Sequence, residues 1–401
     1  MAVKIGRSPT AYGSGMVRTS ERSTTGPPEV DAAEAVAVIG AGTMGAGIAQ
    51  VALEAGWFVR LHDPLPGAFV RGRARIEDGL MRRAAKRGIE EVDAEAWLAA
   101  HLARLTDAPD FARATDGAAL VIEAIIEDLD AKQALFAALD ATLPAETILA
   151  TNTSALSVTT IAEAARRHPG RVVGMHFFNP APVLALVEIV EGMATDPAVA
   201  DRATGMLTAW GKTAVRSADS PGFIVNRVNR PFTIEALRMI ESGEARVGEI
   251  DAAMRADGFP IGPFELMDLV GLDVNLAAAT GVWEGLGRPY RLRPSPIQEW
   301  LVRQGRLGRK NGVGFYRRDA GHDPVPEPLP LDLVPRLDRH PTLDRPGIVE
   351  RIRRAIVEEA IRARDGGVAS EADIDTALRL GAAHPEGPFA WRRRHDPTIG
   401  S

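Results

Sequence analysis

The amino-acid sequence contains no cysteine among its 401 residues. Disulfide bonds, thiolate catalysis and metals held by cysteine are therefore excluded, and the composition is compatible with the reducing environment of the cytoplasm. Positive charge is not in excess, since 47 Lys and Arg residues face 53 Asp and Glu residues and leave a net charge of -6. Nucleic acid is thus disfavoured as the main partner. No segment approaches the ~18 uninterrupted apolar residues of a membrane span, which argues against a membrane.

The first 33 residues also lack an apolar run and are rich in Gly, Ser, Thr and Pro. A secretory signal peptide needs an apolar core, so none is predicted. The segment is loosely similar to a transit peptide because it is poor in acidic residues. We favour a flexible extension, or a start codon assigned too far upstream, over that interpretation.

The rest of the chain has the composition of a globular protein, with 45% hydrophobic and 25% charged residues, and its length suggests roughly two or three domains. Between residues 35 and 190, short β-branched runs alternate with helix-like stretches. This alternation is typical of a parallel sheet covered by helices. The predicted strands span residues 36–39, 58–62, 120–124, 148–151, 172–178 and 186–190.

The character of the sequence changes after Ser220, where helix-length stretches dominate. The prolines of segment 319–345 cannot continue a helix and predict an extended linker. We therefore expect a flexible extension at 1–33, an α/β domain at 34–219, an all-α domain at 220–318, the linker at 319–345 and a last helical segment at 346–401.

The last segment repeats the all-α domain. Residues 235–254 align without gaps on residues 359–378, and the sequence Gly-Pro-Phe at 262–264 recurs at 387–389 after one inserted residue. The carboxyl end is therefore predicted to be a partial second copy of the helical unit. Glu350 of this copy aligns with Asn226 of the first copy, and the copy is interpreted as non-catalytic.

A glycine motif, Gly40-x-Gly42-x-x-Gly45, follows the first predicted strand and precedes a helix-like stretch. Gly40 permits a tight turn, Gly42 lets backbone amides approach a pyrophosphate, and Gly45 lets the helix pack on the strand. Asp63 ends the next strand, where a carboxylate accepts hydrogen bonds from a ribose 2′-hydroxyl and repels a 2′-phosphate. The pattern predicts a Rossmann-type domain that binds NAD. Arg60 lies nearby, so NADP stays an alternative cofactor. The other alternative is that the glycine motif is a purely structural turn.

A histidine and a glutamate flank a second motif. Two apolar runs lie on either side of the breaker "NPAP", and if they fold back about Pro182, His176 falls opposite Glu188 on one face. A carboxylate that orients an imidazole makes a general base. A buried structural histidine is the alternative. Zinc is not expected, because no third ligand lies at a recognisable spacing.

Seven segments occur in one order: VIGAGTMGAGIA, EAIIED, TNTSALSV, HFFNPAPVLALVEIV, SPGFIVNR, GPFELMDLVGLD and GRKNGVGFY. Together they resemble the L-3-hydroxyacyl-CoA dehydrogenase family, which includes 3-hydroxybutyryl-CoA dehydrogenases, over residues 36 to 316. The resemblance implies a Rossmann-type α/β domain followed by an all-α domain.

The resemblance also implies residue roles. His176 would be the base and Glu188 its orienting partner, while Ser154 and Asn226 would bond the reacting oxygen and the thioester. Cofactor contacts would come from Gly40, Gly42, Thr43, Met44, Gly45, Asp63, Glu127, Lys132 and Asn152, and Lys86 would contact CoA. The alternatives are a helix N-cap for Ser154, a helix-start residue for Asn226, and solvated helix faces for Lys132 and Lys86.

The implied activity is NAD-dependent oxidation of an (S)-3-hydroxyacyl-CoA, such as 3-hydroxybutyryl-CoA, in β-oxidation. Fused forms of this arrangement act on 3-hydroxyadipyl-CoA in the breakdown of aromatic acids such as phenylacetate. The alternatives are a dehydrogenase of a free hydroxy or sugar acid and a non-catalytic NAD-binding protein. The chain is expected to form either a homodimer or a monomer with an intrachain pseudo-dimer.

Overall fold

The computed structural model describes residues 35–318, 323–330, 332–334, 342–396 and 398. The predicted flexible extension at 1–33 lies outside these residues. The amino-terminal domain contains one eight-stranded sheet. Its strands are β1 (Ala35–Ile39), β2 (Phe58–His62), β3 (Leu105–Asp107), β4 (Ala118–Glu123), β5 (Ile148–Thr151), β6 (Val172–Phe177), β7 (Leu186–Glu191) and β8 (Thr213–Ala218).

The strands lie in the order β3-β2-β1-β4-β5-β6-β7-β8. All neighbours pair in parallel except β6 and β7, which are antiparallel. All six predicted strands are confirmed, but the two at the sheet edges, β3 and β8, were not predicted. Most residues of β3 are exposed and β8 mixes polar with apolar residues, so neither has the continuous apolar run of a strand buried on both faces.

Seven helices flank the sheet. They are α1 (Thr43–Glu54), α2 (Ala68–Lys86), α3 (Glu91–Leu102), α4 (Phe111–Thr115), α5 (Leu129–Thr142), α6 (Val158–Ala162) and α7 (Pro197–Ala209). Alternate residues of β1 enter separate apolar clusters, because successive strand side chains point to opposite faces. Val36 and Val38 pack with α1, α2 and α7, whereas Ala37 and Ile39 pack with α4, α5 and α6. The sheet is therefore covered on both faces.

The helical part begins after Ser220. Its first copy contains α8 (Val225–Val228), α9 (Arg230–Glu241), α10 (Val247–Ala256), α11 (Pro263–Val270), α12 (Leu272–Gly285) and α13 (Pro296–Arg303). Within the described residues no single helix is both long and apolar enough to cross a membrane. Only α11 and α12 taken together reach that length and composition, and they meet at 104°.

A short antiparallel ribbon follows the first copy. It pairs β9 (Tyr316–Arg317) with β10 (Val325–Pro326), so two residues of the segment predicted as a linker lie against the helical domain. The second copy then forms α14 (Arg345–Asp365), α15 (Glu371–Gly381) and α16 (Pro388–His395).

The two copies share details of their hydrogen bonding. Asp251 of α10 accepts a hydrogen bond from the backbone N–H of Phe264 at 2.9 Å, and Asp375 of α15 accepts one from Phe389 at 2.8 Å. Helix α14 corresponds to α8 and α9 combined. The first copy is interrupted at Pro231, which lacks an N–H group for the helical ladder, whereas Ala355 stands at that position in α14.

The copies pack against each other with approximate two-fold symmetry. Arg227 Nε donates to Glu359 Oε1 at 2.9 Å, and Arg351 Nε donates to Glu235 Oε2 at 3.1 Å. In the repeat alignment Arg351 corresponds to Arg227 and Glu359 to Glu235, so each copy presents the same pair to the other, as in an isologous dimer interface. Helix α14 packs on α9 and α10, and both copies contribute to one apolar core.

Candidate active site

The loop between β1 and α1 has the backbone of a dinucleotide site. Gly40 adopts a φ of 107°, and a Cβ atom there would lie 2.4 Å from the carbonyl oxygen of Ala124. A Cβ on Gly45 would lie 1.8 Å from the carbonyl oxygen of Gly40, whereas Gly42 faces open space. Helix α1 starts directly after Gly42, so its unpaired amides can receive a pyrophosphate. These residues fit a bound NAD.

Asp63 lies beside this loop at the end of β2. Its Oδ2 accepts a hydrogen bond from the backbone N–H of Ala41 at 2.9 Å, and its Oδ1 accepts one from Leu65 at 3.0 Å. The carboxylate is thus held next to the glycine loop, where a ribose hydroxyl is expected. Arg60 Nη1 instead donates to the backbone carbonyl of Asp116, so this guanidinium is bonded to the protein itself.

A buried ion pair supports the loop after β4. Lys132 is 1% exposed, and its Nζ lies 2.5 Å from Glu123 Oε1 and 3.2 Å from Glu127 Oε2. Thr151 Oγ1 also donates to Glu123, at 2.6 Å. The solvated-face alternative for Lys132 is therefore wrong. Its ammonium lies inside the protein between two carboxylates, where it ties the end of β4 to the loop that follows.

Glu127 in turn organises the loop that follows β5. Its Oε1 accepts hydrogen bonds from Thr153 Oγ1 at 2.6 Å and from the backbone N–H groups of Ser154 and Ala155 at 2.9 and 3.0 Å. Partial burial raises the pKa of Glu127, but the bond from Thr153 and the charge of Lys132 outweigh it and hold the pKa below its usual value. Glu127 is thus a carboxylate that fixes the backbone at Ser154.

The predicted histidine and glutamate meet as expected from the register. His176 pairs with Glu188 across the antiparallel strands β6 and β7, and His176 Nδ1 lies 2.6 Å from Glu188 Oε2. His176 Nε2 lies 3.0 Å from Ser154 Oγ. A carboxylate only accepts hydrogen bonds, so Nδ1–H donates to Glu188; in the neutral imidazole, Nε2 then accepts from the Ser154 hydroxyl. Both members of the pair are buried.

Glu188 connects this pair to the helical domain. Its second oxygen, Oε1, accepts hydrogen bonds from the backbone N–H groups of Ile224 and Val225 at 3.1 and 2.8 Å. Asn226 follows directly as the second residue of α8. The alternative role of Ser154, as a helix N-cap, is wrong, because Ser157 caps α6 by accepting a hydrogen bond from Thr160 N–H.

One cavity of about 720 Å³ brings six of the predicted residues together. Asn152, whose Oδ1 accepts from Phe177 N–H at 2.9 Å, lies at its sheet end. The other predicted residues that line it are Thr43, Met44, Ser154, His176 and Asn226. Beyond Asn226 the cavity enters the helical domain between apolar side chains that include Phe232, Phe259 and Leu266. His176 and the start of the helix after the glycine loop thus share one space.

Lys86 lies elsewhere, in a second cavity of about 370 Å³ between α1, α2 and the loop after β6. This cavity also contains Arg75, Arg82 and Arg83. Thr43 and Asn179 line both cavities, so the two adjoin.

The sequence did not reveal two contributors to the first cavity. Arg230 lines it from the start of α9, and residues 381–383 of the second copy line it from α15. Arginines are mostly exposed, so there was no reason in the sequence to expect Arg230 to be buried. The second copy lacks the equivalent of Asn226, so it was not expected to form part of a cavity wall. Within the described chain, no group of three His, Asp or Glu side chains lies in a metal-binding arrangement.

Two family models match this chain. Residues 35–220 match the NAD binding domain of 3-hydroxyacyl-CoA dehydrogenase, and residues 222–318 and 348–399 match the C-terminal domain of the same enzyme. The chain belongs to the 3-hydroxyacyl-CoA dehydrogenase family, whose members are NAD-dependent oxidoreductases. NAD is therefore its cofactor.

The chain is also similar to individual proteins of this family. The chain is 37% identical to 3-hydroxyadipyl-CoA dehydrogenase from Escherichia coli, over 89% of this chain and 90% of the relative. It is 41% identical to the mitochondrial hydroxyacyl-coenzyme A dehydrogenase of Rattus norvegicus, over 70% of this chain and 90% of that relative. Among solved structures, 3-hydroxybutyryl-CoA dehydrogenase from Escherichia coli K12 superposes with a TM-score of 0.78 at 36% identity, covering 90% of this chain and 91% of that chain.

Proposed function

We propose that this protein oxidises the 3-hydroxyl group of (S)-3-hydroxyacyl-CoA thioesters to a ketone, with His176 as the general base. The observation that carries the proposal is the hydrogen-bonded series Ser154, His176 and Glu188, which opens into the cavity lined by the cofactor loop. NAD, when bound, accepts the hydride from carbon 3 of the substrate.

The protein groups supply the proton chemistry. In the neutral form that donates Nδ1–H to Glu188, His176 Nε2 carries no proton and takes the hydroxyl proton as the alcohol becomes a ketone. Glu188, held by the amides of Ile224 and Val225, stabilises the imidazolium that results. In the reverse direction the same imidazolium returns the proton. Ser154 Oγ and the amide of Asn226 bond the reacting oxygen and the thioester carbonyl.

The CoA portion occupies the cavity of about 370 Å³, here called the CoA cavity, and the acyl portion occupies the cavity of about 720 Å³, here called the acyl cavity. Phosphate groups are attracted to clustered Arg and Lys side chains, and Lys86, Arg75 and Arg82 line this space next to the acyl cavity, where Arg83 is already paired with Glu54 at 2.8 Å. A free hydroxy or sugar acid would leave these cations without a ligand, which favours a thioester. The names of the Escherichia coli relatives suggest 3-hydroxybutyryl-CoA and 3-hydroxyadipyl-CoA as the substrates.

The second helical copy serves as an intrachain partner of the first, in place of the second subunit of a homodimer. The reciprocal ion pairs Arg227–Glu359 and Arg351–Glu235 support this role. The copy is non-catalytic, because Glu350 stands where the first copy has Asn226. Its contribution to the site is the wall formed by residues 381–383.

The base assignment is tested with His176→Ala. Turnover is expected to fall by ~10²-fold to 10⁴-fold, because a positioned general base contributes that much, while the affinity for NAD stays at the wild-type value. The measurements are NADH absorbance with 3-hydroxyacyl-CoA esters and calorimetric titration of NAD.

His395→Ala is the matched control, since His395 lies in α16 and lines neither the acyl nor the CoA cavity, and it should keep wild-type turnover. Near-normal turnover in His176→Ala would contradict the assignment. Oxidation of free hydroxy acids but of no thioester by the wild-type protein would contradict the substrate class.

A further inference from the structure

Arg230 is a buried arginine that lacks a charged partner. Its side chain lies at the start of α9 and is 7% exposed. Its one hydrogen bond runs from Nε to the backbone carbonyl of Asn226 at 3.3 Å, and no carboxylate of the described chain lies within ion-pair distance of it. Arg227, one turn earlier and equally buried, is paired with Glu359.

An unpaired buried guanidinium is costly to the folded protein. Removing a charge from water is repaid only by an opposite charge or by several hydrogen bonds. Burial lowers the pKa of Arg230 to about 10, so the group still carries its charge at neutral pH. A bound anion would offset this cost.

The surroundings of Arg230 favour an anionic ligand. Arg230 lines the same cavity as Ser154 and His176, and among the described lining residues it is the single Lys or Arg, with no Asp or Glu beside it. Most neighbours at this end are apolar, including Phe259 and Val270. An anion that reaches this point thus finds one cation and no repelling carboxylate.

The repeat offers an internal comparison. Arg354 of the second copy corresponds to Arg230 in the alignment, but its side chain is 50% exposed and lies 3.8 Å from Glu358 and 4.0 Å from Asp396. The same position is therefore solvated and neutralised in the copy that lacks an active site. In the copy with the site, it is buried and open to the cavity.

We propose that Arg230 binds a carboxylate at the far end of the acyl chain, so that the preferred substrates are dicarboxylic 3-hydroxyacyl-CoA thioesters. This inference rests on the proposed function, because it assumes that carbon 3 lies at His176. The phosphates of CoA and NAD have other binding groups: the cations of α2 for CoA and the amides of the glycine loop for NAD. The acyl chain runs from Asn226 along the apolar lining toward Arg230, which lies four residues later in the polypeptide.

Selectivity follows from the unpaired charge. A carboxylate forms two parallel hydrogen bonds with a guanidinium, whereas a methyl end leaves that guanidinium buried without a partner. Sites that pair a buried polar group with the substrate discriminate strongly against analogues that lack the matching group. We expect kcat/KM for 3-hydroxyadipyl-CoA to exceed that for 3-hydroxyhexanoyl-CoA, which has the same number of acyl carbons, by at least ~100-fold.

The test compares these two thioesters in the wild-type protein and in Arg230→Leu, Arg230→Lys and the control Arg354→Leu. In Arg230→Leu the ratio of the two kcat/KM values should fall to within ~10-fold of one, Arg230→Lys should retain an intermediate ratio, and Arg354→Leu should retain the wild-type ratio. The apo Arg230→Leu variant should melt no lower than the wild type, since an unpaired buried charge is removed.

A binding measurement separates recognition from chemistry. Adipyl-CoA and hexanoyl-CoA lack the 3-hydroxyl and cannot be oxidised, and calorimetry should show adipyl-CoA binding the wild type at least ~10-fold more tightly, with the difference lost in Arg230→Leu. Oxidation of both hydroxy thioesters by the wild type without preference would overturn the assignment of Arg230. An equal loss on both in Arg230→Leu, with a lower melting temperature, would also overturn it. Failure to reduce NAD with either thioester would overturn the proposed function, and the binding comparison would still decide the role of Arg230.

Discussion

His384 is a single side chain that ties the second helical copy to the acyl cavity. Its Nε2 lies 2.8 Å from Asn229 Oδ1, and its ring contacts Phe259 edge-on at 4.8 Å. It follows directly on residues 381–383, which line the cavity. Burial, together with the charge of Arg353, lowers the pKa of His384 from 6.5 to about 3. The ring is therefore neutral in the folded protein.

This neutral histidine predicts a loss of stability in acid. The unfolded chain takes up a proton below pH 6.5 and the folded chain does not, so stability present above that pH is lost as the pH falls toward about 3. His384→Gln keeps a hydrogen-bond donor for Asn229 but does not titrate. The stability advantage of the wild type over this variant should shrink by about 2 kcal/mol between pH 7.5 and pH 5. Urea unfolding at the two pH values measures it, and an unchanged difference would contradict the expectation.

At the scale of residues, local sequence patterns predicted which side chains pair across two strands, but not which side chains are buried between domains. The even spacing of two antiparallel runs predicted that His176 and Glu188 share a face, and the structure confirms their pairing. The hydrogen bonds that the amides of Ile224 and Val225 donate to Glu188 depend on how two domains meet, which no local pattern encodes. The burial of Arg230 has the same origin, because its cavity is closed by residues from distant parts of the chain.

Helix α2 is an element whose role depends on its charge. Lys86, Arg82 and Arg83 line the CoA cavity, while Arg73 on the same helix is exposed outside it and pairs with Glu77 at 2.8 Å. The proposed function makes this helix an anchor for phosphate groups.

Charge reversal in α2 should therefore weaken thioester binding. We expect Lys86→Glu to raise KM for acyl-CoA substrates by ~10-fold or more, and the wild-type KM to rise with salt because exposed charges are screened. The control Arg73→Glu should leave KM near the wild-type value. Steady-state kinetics at low and high salt measure both effects. A KM that responds neither to salt nor to Lys86→Glu would make α2 an ordinary solvated helix.

At the scale of elements, strongly apolar segments were predictable and marginal ones were not. The buried strands of the sheet centre were all recognised, whereas the edge strands β3 and β8 lack a continuous apolar run. The correspondence between α8 with α9 and the single helix α14 was recognisable from the repeat. The place where the first copy breaks follows from Pro231.

At the scale of the whole molecule, the contact between the helical copies buries apolar side chains of both. Ile352 and Ile356 of α14 are buried in the core that both copies share. Removing the second copy would expose the apolar side chains of α9 and α10 that it covers.

A chain truncated near residue 325 is therefore expected to aggregate or to form dimers, because a large exposed apolar patch seeks a partner. Light scattering coupled to size-exclusion chromatography measures the oligomeric state. The full chain with Ile356→Asp, which introduces a carboxylate into the same contact, should show the same tendency more weakly. A soluble truncated chain with the oligomeric state of the full protein would contradict the intrachain-partner role.

At this scale the sequence predicted the second copy and suggested an intrachain pseudo-dimer, but not the side-chain contacts between the copies. An alignment detects the duplicated helices, and family resemblance suggests that they meet as subunits do. The reciprocal pairs of Arg227 with Glu359 and Arg351 with Glu235 required coordinates, because many other Arg and Glu residues lie on these helices.

Because the two helical copies are covalently linked, their association does not depend on the protein concentration. Two separate subunits part when they are diluted, whereas two copies on one polypeptide meet at a local concentration fixed by the intervening segment. The wall that residues 381–383 add to the acyl cavity is consequently present even where the protein is scarce.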